Sequence, residues 1–188
     1  MSSLETGFID HMKPPETFVT DRLRLRLPLL SDAGAIFNTY ATDSEVTRYL
    51  IWQPHKRVEE TRTFLERCVD GWETGNEFPW VITAKDSGEL MGMAGLRVRD
   101  FKADLGYVLG RRFWGNGFAT EAVTPIASWA LAQPRIYRVW AMCDVENAAS
   151  ARVLEKVGMK REGVMCRSQM HPGVSNEPRD SYCYAIVK

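Results

Sequence analysis

The sequence predicts a single α/β domain built on one mixed sheet with helices on both faces. Three observations predict it. The 188 residues suit one domain, and a 45% share of hydrophobic residues is enough for one continuous core. Period-two and period-3.6 apolar patterns interleave in the order β-α-α-β-β-β-α-β-α-β-β. No repeat, low-complexity tract or linker divides the chain. One domain is therefore expected over residues 17–188, behind a flexible tail, residues 1–16, that ends in Pro14 and Pro15.

The elements follow in order. "RLRLRLP" (residues 22–28) alternates strictly, with Leu23, Leu25 and Leu27 on one face of a half-buried strand. "SDAGAIFNTYAT" opens with Ser31 as N-cap and reads as a short helix. "VEETRTFLERCVDGWETG" places Val58, Thr61, Leu65, Cys68, Val69 and Trp72 at helical spacing, with Gly75 at the C-terminal cap. "PWVITAKDSGELMGMAGLRV" reads as a β-hairpin turned by Asp86, Ser87 and Gly88. "KADLGYVLG" is a further strand. "FATEAVTPIASWALAQP" has its apolar residues at 119, 122, 123, 126, 127, 130 and 131, which form one helical face. Pro125 is expected to kink that helix and Pro134 to end it. "IYRVWAMCD" is a strand with Val139, Ala141 and Cys143 on one side. "NAASARVLEKVG" is a helix capped by Asn147 and stopped by Gly158. Two strands, "VMCRSQMH" and "SYCYAIVK", flank the turn-rich loop "PGVSNEPRD".

Charge and cysteine usage exclude several functions. Lys plus Arg and Asp plus Glu number 24 each, and no long basic run occurs, so nucleic acid is not an expected partner. Cys68, Cys143, Cys166 and Cys183 form no Cys-x-x-Cys pair. His11, His55 and His171 stand at no zinc-ligand spacing, so no metal is expected. Free thiols in a reducing compartment fit this pattern. The opening "MSSLETGFIDHMKPPETF" lacks the apolar core of a signal peptide, and no apolar run is long enough to span a bilayer. A cytoplasmic monomer or homodimer, with no membrane partner, is expected.

The chemistry concentrates in "LGYVLGRRFWGNGFATEA" (residues 105–122): a strand, a turn bracketed by Gly115 and Gly117, and a helix. A helix N-terminus presents free N–H groups and the positive end of a dipole. Glycines let that backbone approach an anion with no Cβ in the way. Together they make a phosphate cradle over Arg112, Phe113, Trp114, Gly115, Asn116, Gly117, Phe118 and Ala119. The alternative is a tight turn without a ligand. Two better-known cradles do not fit. Phe118 and Ala119 stand where a P-loop needs lysine and a hydroxyl, and the third glycine of the dinucleotide fingerprint is absent.

The continuation raises the first reading. "RRFWGNGFATEA" followed by "NAASARVLEKVGMKREG" resembles the GNAT superfamily of N-acetyltransferases. Arg112, Gly115, Gly117 and Ala119 match that family's Arg/Gln-x-x-Gly-x-Gly/Ala signature and the alanine after it. The run from Trp114 to Ala122, the Asn147–Ser150 step, "LEKVGM" and the opening "TDRLRLRLPLLSDAGAIFNTYATDSEVTRYL" are similar to the branch typified by ribosomal-protein N-terminal acetyltransferases. The resemblance covers about Phe18 to Lys188.

The resemblance implies a mostly antiparallel sheet splayed at its middle, and acetyl-CoA as cosubstrate. The turn from Arg112 to Ala119 would hold the pyrophosphate through backbone N–H groups. The edge formed by Tyr107, Val108 and Leu109 would pair with the pantetheine arm. An N–H near Tyr107 would bind the thioester oxygen and the later oxyanion. Asn147 would touch the pantetheine as well as cap its helix. Ser150 would lie beside the sulfur and protonate the leaving thiolate. Its alternative is a small residue on the stripe of Val153, Leu154 and Val157, bonded to its own helix.

The general base departs from the pattern. The ribosomal-protein enzymes carry a glutamate in the strand after Glu-Gly, and Gln169 occupies that place here. Gln cannot accept the proton. Asp104, on the strand leading into the cradle, is the next candidate, acting through water; its alternative is a solvated strand-end charge. Tyr182, Tyr184 and His171 are further options, with Tyr184 expected in the core. Freeing a protein α-amine of pKa about 7.7–8.0 at neutral pH costs about 1 kcal/mol, against about 4.6 kcal/mol for an amine near 10.4. A site without a strong base therefore favours a protein N-terminus or amino acid over a polyamine or aminoglycoside. Trp52, in "YLIWQPHKR", stands where the family often lines its acceptor pocket, or simply packs. The loop "HPGVSNEPRD" is placed to close over the same pocket.

Three functions remain in competition. The first is direct acetyl transfer to a primary amine. The second, motivated by Gln169, is a binding module that holds acetyl-CoA without turnover. The third is an unrelated phosphate-binding domain, which would not prefer acetyl-CoA over ATP.

Overall fold

The computed structural model describes residues 13–75 and 77–188. Its strands are β1 (Phe18–Val19), β2 (Leu23–Arg26), β3 (Glu77–Ala84), β4 (Leu90–Arg99), β5 (Lys102–Leu109), β6 (Arg138–Asp144), β7 (Lys160–Gln169) and β8 (Arg179–Val187). The helices are α1 (Ala33–Ile36), α2 (Ser44–Thr47), α3 (Val58–Thr74), α4 (Phe118–Ala132) and α5 (Ala148–Lys156). All eight strands join one sheet, in the order β1-β2-β3-β4-β5-β6-β8-β7.

Neighbouring strands run antiparallel except β5 and β6, which are parallel. That pair holds register only over Lys102↔Arg138, Ala103↔Val139 and Asp104↔Trp140. Beyond it, Leu105–Leu109 and Ala141–Asp144 no longer pair with each other, and the sheet opens into a gap. The mostly antiparallel sheet, splayed at its middle, is the one expected.

Strand alternation sorts the core onto two faces. Trp80, Ile82, Ala94, Leu96, Ala103, Leu105, Val139 and Ala141 meet Ala122, Val123, Ile126 and Ala127 of α4 and Leu154 of α5. Val81 and Met93 turn the other way and meet Ile36 of α1 and Leu65 and Cys68 of α3. The gap between β5 and β6 thus connects the two faces of the sheet.

Gly92 keeps β4 and β5 together beside that gap. A Cβ there would stand 2.1 Å from the Val108 carbonyl oxygen and 2.8 Å from the Leu109 side chain. Backbone cannot yield as a flexible side chain would. Gly92→Ala is expected to lower the unfolding free energy by about 3 kcal/mol, read from the denaturant midpoint.

Several local expectations shift. Ser31 is not the cap of the first helix. It lies in a 3-10 turn, Leu30–Asp32, and the Asp32 carboxylate accepts the Leu29 N–H at 2.8 Å while Arg26 holds it at 2.7 Å. After α1 the chain passes into a π-helical turn, Phe37–Ala41. β1 and α2 were not anticipated, though Asp43 caps α2 by accepting the Glu45 N–H at 2.9 Å. β7 starts at Lys160, ahead of the expected Val164. α4 continues through Pro125. Of the expected tail, residues 1–12 lie outside the described residues, whereas Pro14 is buried and the Pro15 carbonyl accepts the Trp80 indole N–H at 3.0 Å.

Candidate active site

A cavity of about 1190 Å³ occupies the gap and is lined from both faces of the sheet. One side is built by α2 and the following residues Arg48 to Trp52. The other is built by the first turns of α4 and α5.

At the α4 end, Gly115 (φ +78°) and Gly117 (φ +79°) take left-handed conformations that suit glycine. A Cβ at Gly115 would meet nothing within 4 Å, so the turn faces open space. Among the described residues, no acceptor takes the backbone N–H groups of residues 115–120; the first one paired is Glu121, to Gly117. Six consecutive free donors at a helix N-terminus fit a diphosphate.

This turn is fastened from the connection between β1 and β2. Glu121 accepts hydrogen bonds from the Thr20 hydroxyl (2.6 Å), the Arg22 N–H (2.9 Å) and the Arg22 side chain (2.7 Å). Burial would raise the Glu121 pKa, but these bonds outweigh it and hold the carboxyl below its ordinary range. Arg22 also donates to the Asn116 carbonyl at 3.1 Å and lies 4.3 Å over the Phe118 ring. Sequence reading missed Thr20 and Arg22 as parts of the site. The only local signal was an acidic residue in the first turn of α4.

Arg112 lies in the 3-10 turn, Arg111–Phe113, ahead of the two glycines. Its guanidinium pairs with Glu89 at 2.7 Å and lies 4.6 Å over the Phe113 ring. It braces the turn against the β3–β4 hairpin and does not line the cavity. The Asn116 side chain likewise turns back, donating to the Trp114 carbonyl at 2.9 Å, and only its backbone N–H remains available. Phe113, Trp114, Phe118 and Ala119 do line the cavity.

The free edge of β5 follows from alternation. The Gly110 N–H donates to Met91 at 2.9 Å, and the Phe101 carbonyl accepts from Tyr137 across the opposite edge. Gly106 and Val108 therefore direct their backbone groups to β4, while Leu105, Tyr107 and Leu109 direct theirs into the gap. Val108, expected on the open edge, is thus committed to β4. The Leu109 carbonyl is occupied by the Trp114 indole N–H at 2.8 Å. The Tyr107 N–H faces the gap.

Behind that edge, on the α5 face, the Tyr107 hydroxyl lies 2.8 Å from Ser150 Oγ. Burial raises the Tyr107 pKa, against the opposing pull of the Ser150 bond. Asn147 caps α5 by accepting the Ser150 N–H at 3.1 Å and also lines the cavity. Ser150 is therefore one half of a polar pair at the cavity wall. The Cys143 thiol nearby is pushed up to about 11 by burial and stays protonated.

The opposite face carries the remaining candidates. Asp104 pairs with Trp140 in the β5–β6 register, three residues back from Tyr107, or roughly 10 Å along the strand at about 3.3 Å per residue. Burial raises its pKa, and Arg97, 3.6 Å away, and Arg99 pull it down. Trp52 lines the cavity and packs on His55, with ring centroids 4.8 Å apart. Gln169 and His171 line it as well. The loop after His171 docks on the same side: a Cβ at Gly173 would stand 2.8 Å from the Arg48 carbonyl oxygen. Among the described residues no group of three or more His, Cys, Asp or Glu could hold a metal, and no helix is long and apolar enough to cross a membrane.

Known proteins resemble the chain along most of its length. The acetyltransferase (GNAT) domain model matches residues 22–160. The uncharacterized N-acetyltransferase YoaA of Bacillus subtilis is 32% identical over 172 residues, which cover 90% of this chain and 95% of that protein. The ribosomal protein uS5-alanine N-acetyltransferase of Escherichia coli is 25% identical over 165 residues, covering 80% of this chain and 81% of its own length. The microcin C7 self-immunity acetyltransferase MccE, solved in complex with acetyl-CoA and AMP, shares the fold with a TM-score of 0.82 at 22% identity, over 93% of this chain and 98% of that one. The splayed sheet, the glycine turn and these matches along most of the sequence make one statement: the chain belongs to the GNAT family and is an N-acetyltransferase.

Proposed function

We propose that the protein transfers the acetyl group of acetyl-CoA directly to an α-amine, that of a protein N-terminus or an amino acid. One observation carries the reading. A row of free N–H groups at residues 115–120 leads along an open strand edge to the Tyr107 N–H, with the Ser150–Tyr107 hydroxyl pair at its end. The row binds the diphosphate, the edge takes the pantetheine, and the Tyr107 N–H stabilises the oxyanion. Ser150 delivers the proton to the departing sulfur. Holding both substrates in one gap supplies the proximity term. Asp104, expected as the base, is read here as the carboxylate that draws an ammonium group toward the cavity, because it lies well back from the reacting level. Trp52 borders the acceptor. The acetyl-CoA complex of MccE and the ribosomal-protein alanine in the name of the uS5 enzyme support the same reading.

The test is thiol release from acetyl-CoA with peptides, amino acids, polyamines and aminoglycosides as acceptors. Turnover is expected with peptides or amino acids. A coenzyme that binds without turnover on any acceptor would favour the non-catalytic module that Gln169 suggests.

A further inference from the structure

On the footing of the acetyl-transfer reading, the acceptor's proton needs a destination. His171 follows the end of β7, is only 4% exposed, and lines the cavity. Neither ring nitrogen has a hydrogen-bond partner among the described residues. The Ser181 hydroxyl, fully buried in the same wall, is unpaired too. Buried polar atoms are nearly always paired, so an unpaired imidazole on a cavity wall points to a group that arrives with the ligand.

Register places this imidazole at the reacting level. The β5–β6 alignment, carried past Asp104↔Trp140, sets Cys143 level with Tyr107 and Asp144 level with Val108. Val139, Ala141 and Cys143 face α4 and α5, so Asp144 faces the acceptor side, as does Ser181 directly opposite it on β8. His171 Nε2 is 3.9 Å from the Asp144 carboxylate. His171 therefore stands across the gap from Ser150, near the level of the Tyr107 N–H and ahead of Asp104.

The charges around it are defined. Arg179 of β8 donates to Asp144 at 2.6 and 3.1 Å, and the Glu146 N–H donates at 2.9 Å. Burial would raise the Asp144 pKa, but these bonds outweigh it and keep the group ionised. Arg179 also reaches Glu146 at 3.1 Å. From the α2 side, the Arg48 backbone closely approaches the loop at Gly173.

We propose that His171 takes the proton from the acceptor ammonium and that Asp144 is the positioning carboxylate that stabilises the charged ring. Of the three ammonium protons, one passes to His171 and then to solvent, and one stays on the amide. The third leaves nitrogen as the C–S bond breaks and replaces the one that Ser150 and Tyr107 give to sulfur. The nitrogen lone pair freed by His171 forms the new C–N bond, and the C–S electron pair departs with sulfur. A base at 171 supplies what Gln169 cannot.

The experiment compares wild type, His171→Gln and His171→Ala in the thiol-release assay with the amine panel, alongside acetyl-CoA affinity by calorimetry. His171→Gln is expected to lose about 100-fold or more in kcat, with the acetyl-CoA Kd within twofold of wild type. Added imidazole should restore His171→Ala activity about tenfold. A His171→Gln enzyme within threefold of wild-type kcat would overturn the inference and leave acetyl transfer standing. If His171→Gln also loses the coenzyme, the imidazole response of His171→Ala decides: recovery supports the base, and none overturns it. A wild-type protein that turns over no amine removes both the reading and the inference.

Discussion

Glutamate in place of Gly117 is expected to weaken acetyl-CoA binding by about 100-fold or more, roughly 2.7 kcal/mol at 1.36 kcal/mol per decade. Gly117 sits at φ +79°, the position that opens α4, and a side chain there costs about 1–2 kcal/mol in backbone strain. A carboxylate at a helix N-terminus returns about 0.3–1 kcal/mol through the dipole, so folding changes little. Binding is another matter. The carboxylate would stand among the free N–H groups of residues 115–120 and repel the diphosphate they are poised to hold. Gly117→Ala separates the terms, since it adds the strain without the charge and should cost about tenfold. Calorimetry reads both. An unchanged Kd for Gly117→Glu would rule out the cradle.

Removing either hydroxyl of the Tyr107–Ser150 pair should lower kcat by about 100-fold, the usual scale for a positioned acid, with the KM for acetyl-CoA within threefold. The 2.8 Å contact makes the two hydroxyls one unit. The double variant, Tyr107→Phe with Ser150→Ala, should therefore be little worse than either single one. Phenylalanine preserves the packing of the ring, so stability measured by thermal melting should hold. Full activity in Ser150→Ala would return that residue to the other sequence reading, a small side chain on a helix stripe.

Much of the fold was legible because its signals are local. Gly75 closes α3 at φ +75° and Gly158 follows α5 at φ +97°, both as glycine's conformational range suggests. Asn147 accepts the Ser150 N–H within one turn. The stripe Ala122, Val123, Ile126, Ala127 and Ala130 is buried as its period requires. The short segments were less legible. α2 spans Ser44–Thr47 and β1 only Phe18–Val19, too short for any period to register. Ser31 looked like a cap, but Arg26 fixes the Asp32 carboxylate where it accepts the Leu29 N–H instead.

The site divides along the same line. By itself the sequence determined the strand, the two glycines and the helix that follows, because backbone conformation and free N–H groups depend on residues close in the chain. Only the tertiary structure decided the partners: Ser150 with Tyr107, 43 positions apart, Glu121 with Thr20, 101 apart, and Arg112 with Glu89 rather than with the cavity. The packing of α4 and α5 on the sheet and the order of its strands bring those segments together, and both join residues too far apart in the chain for a local period to relate them.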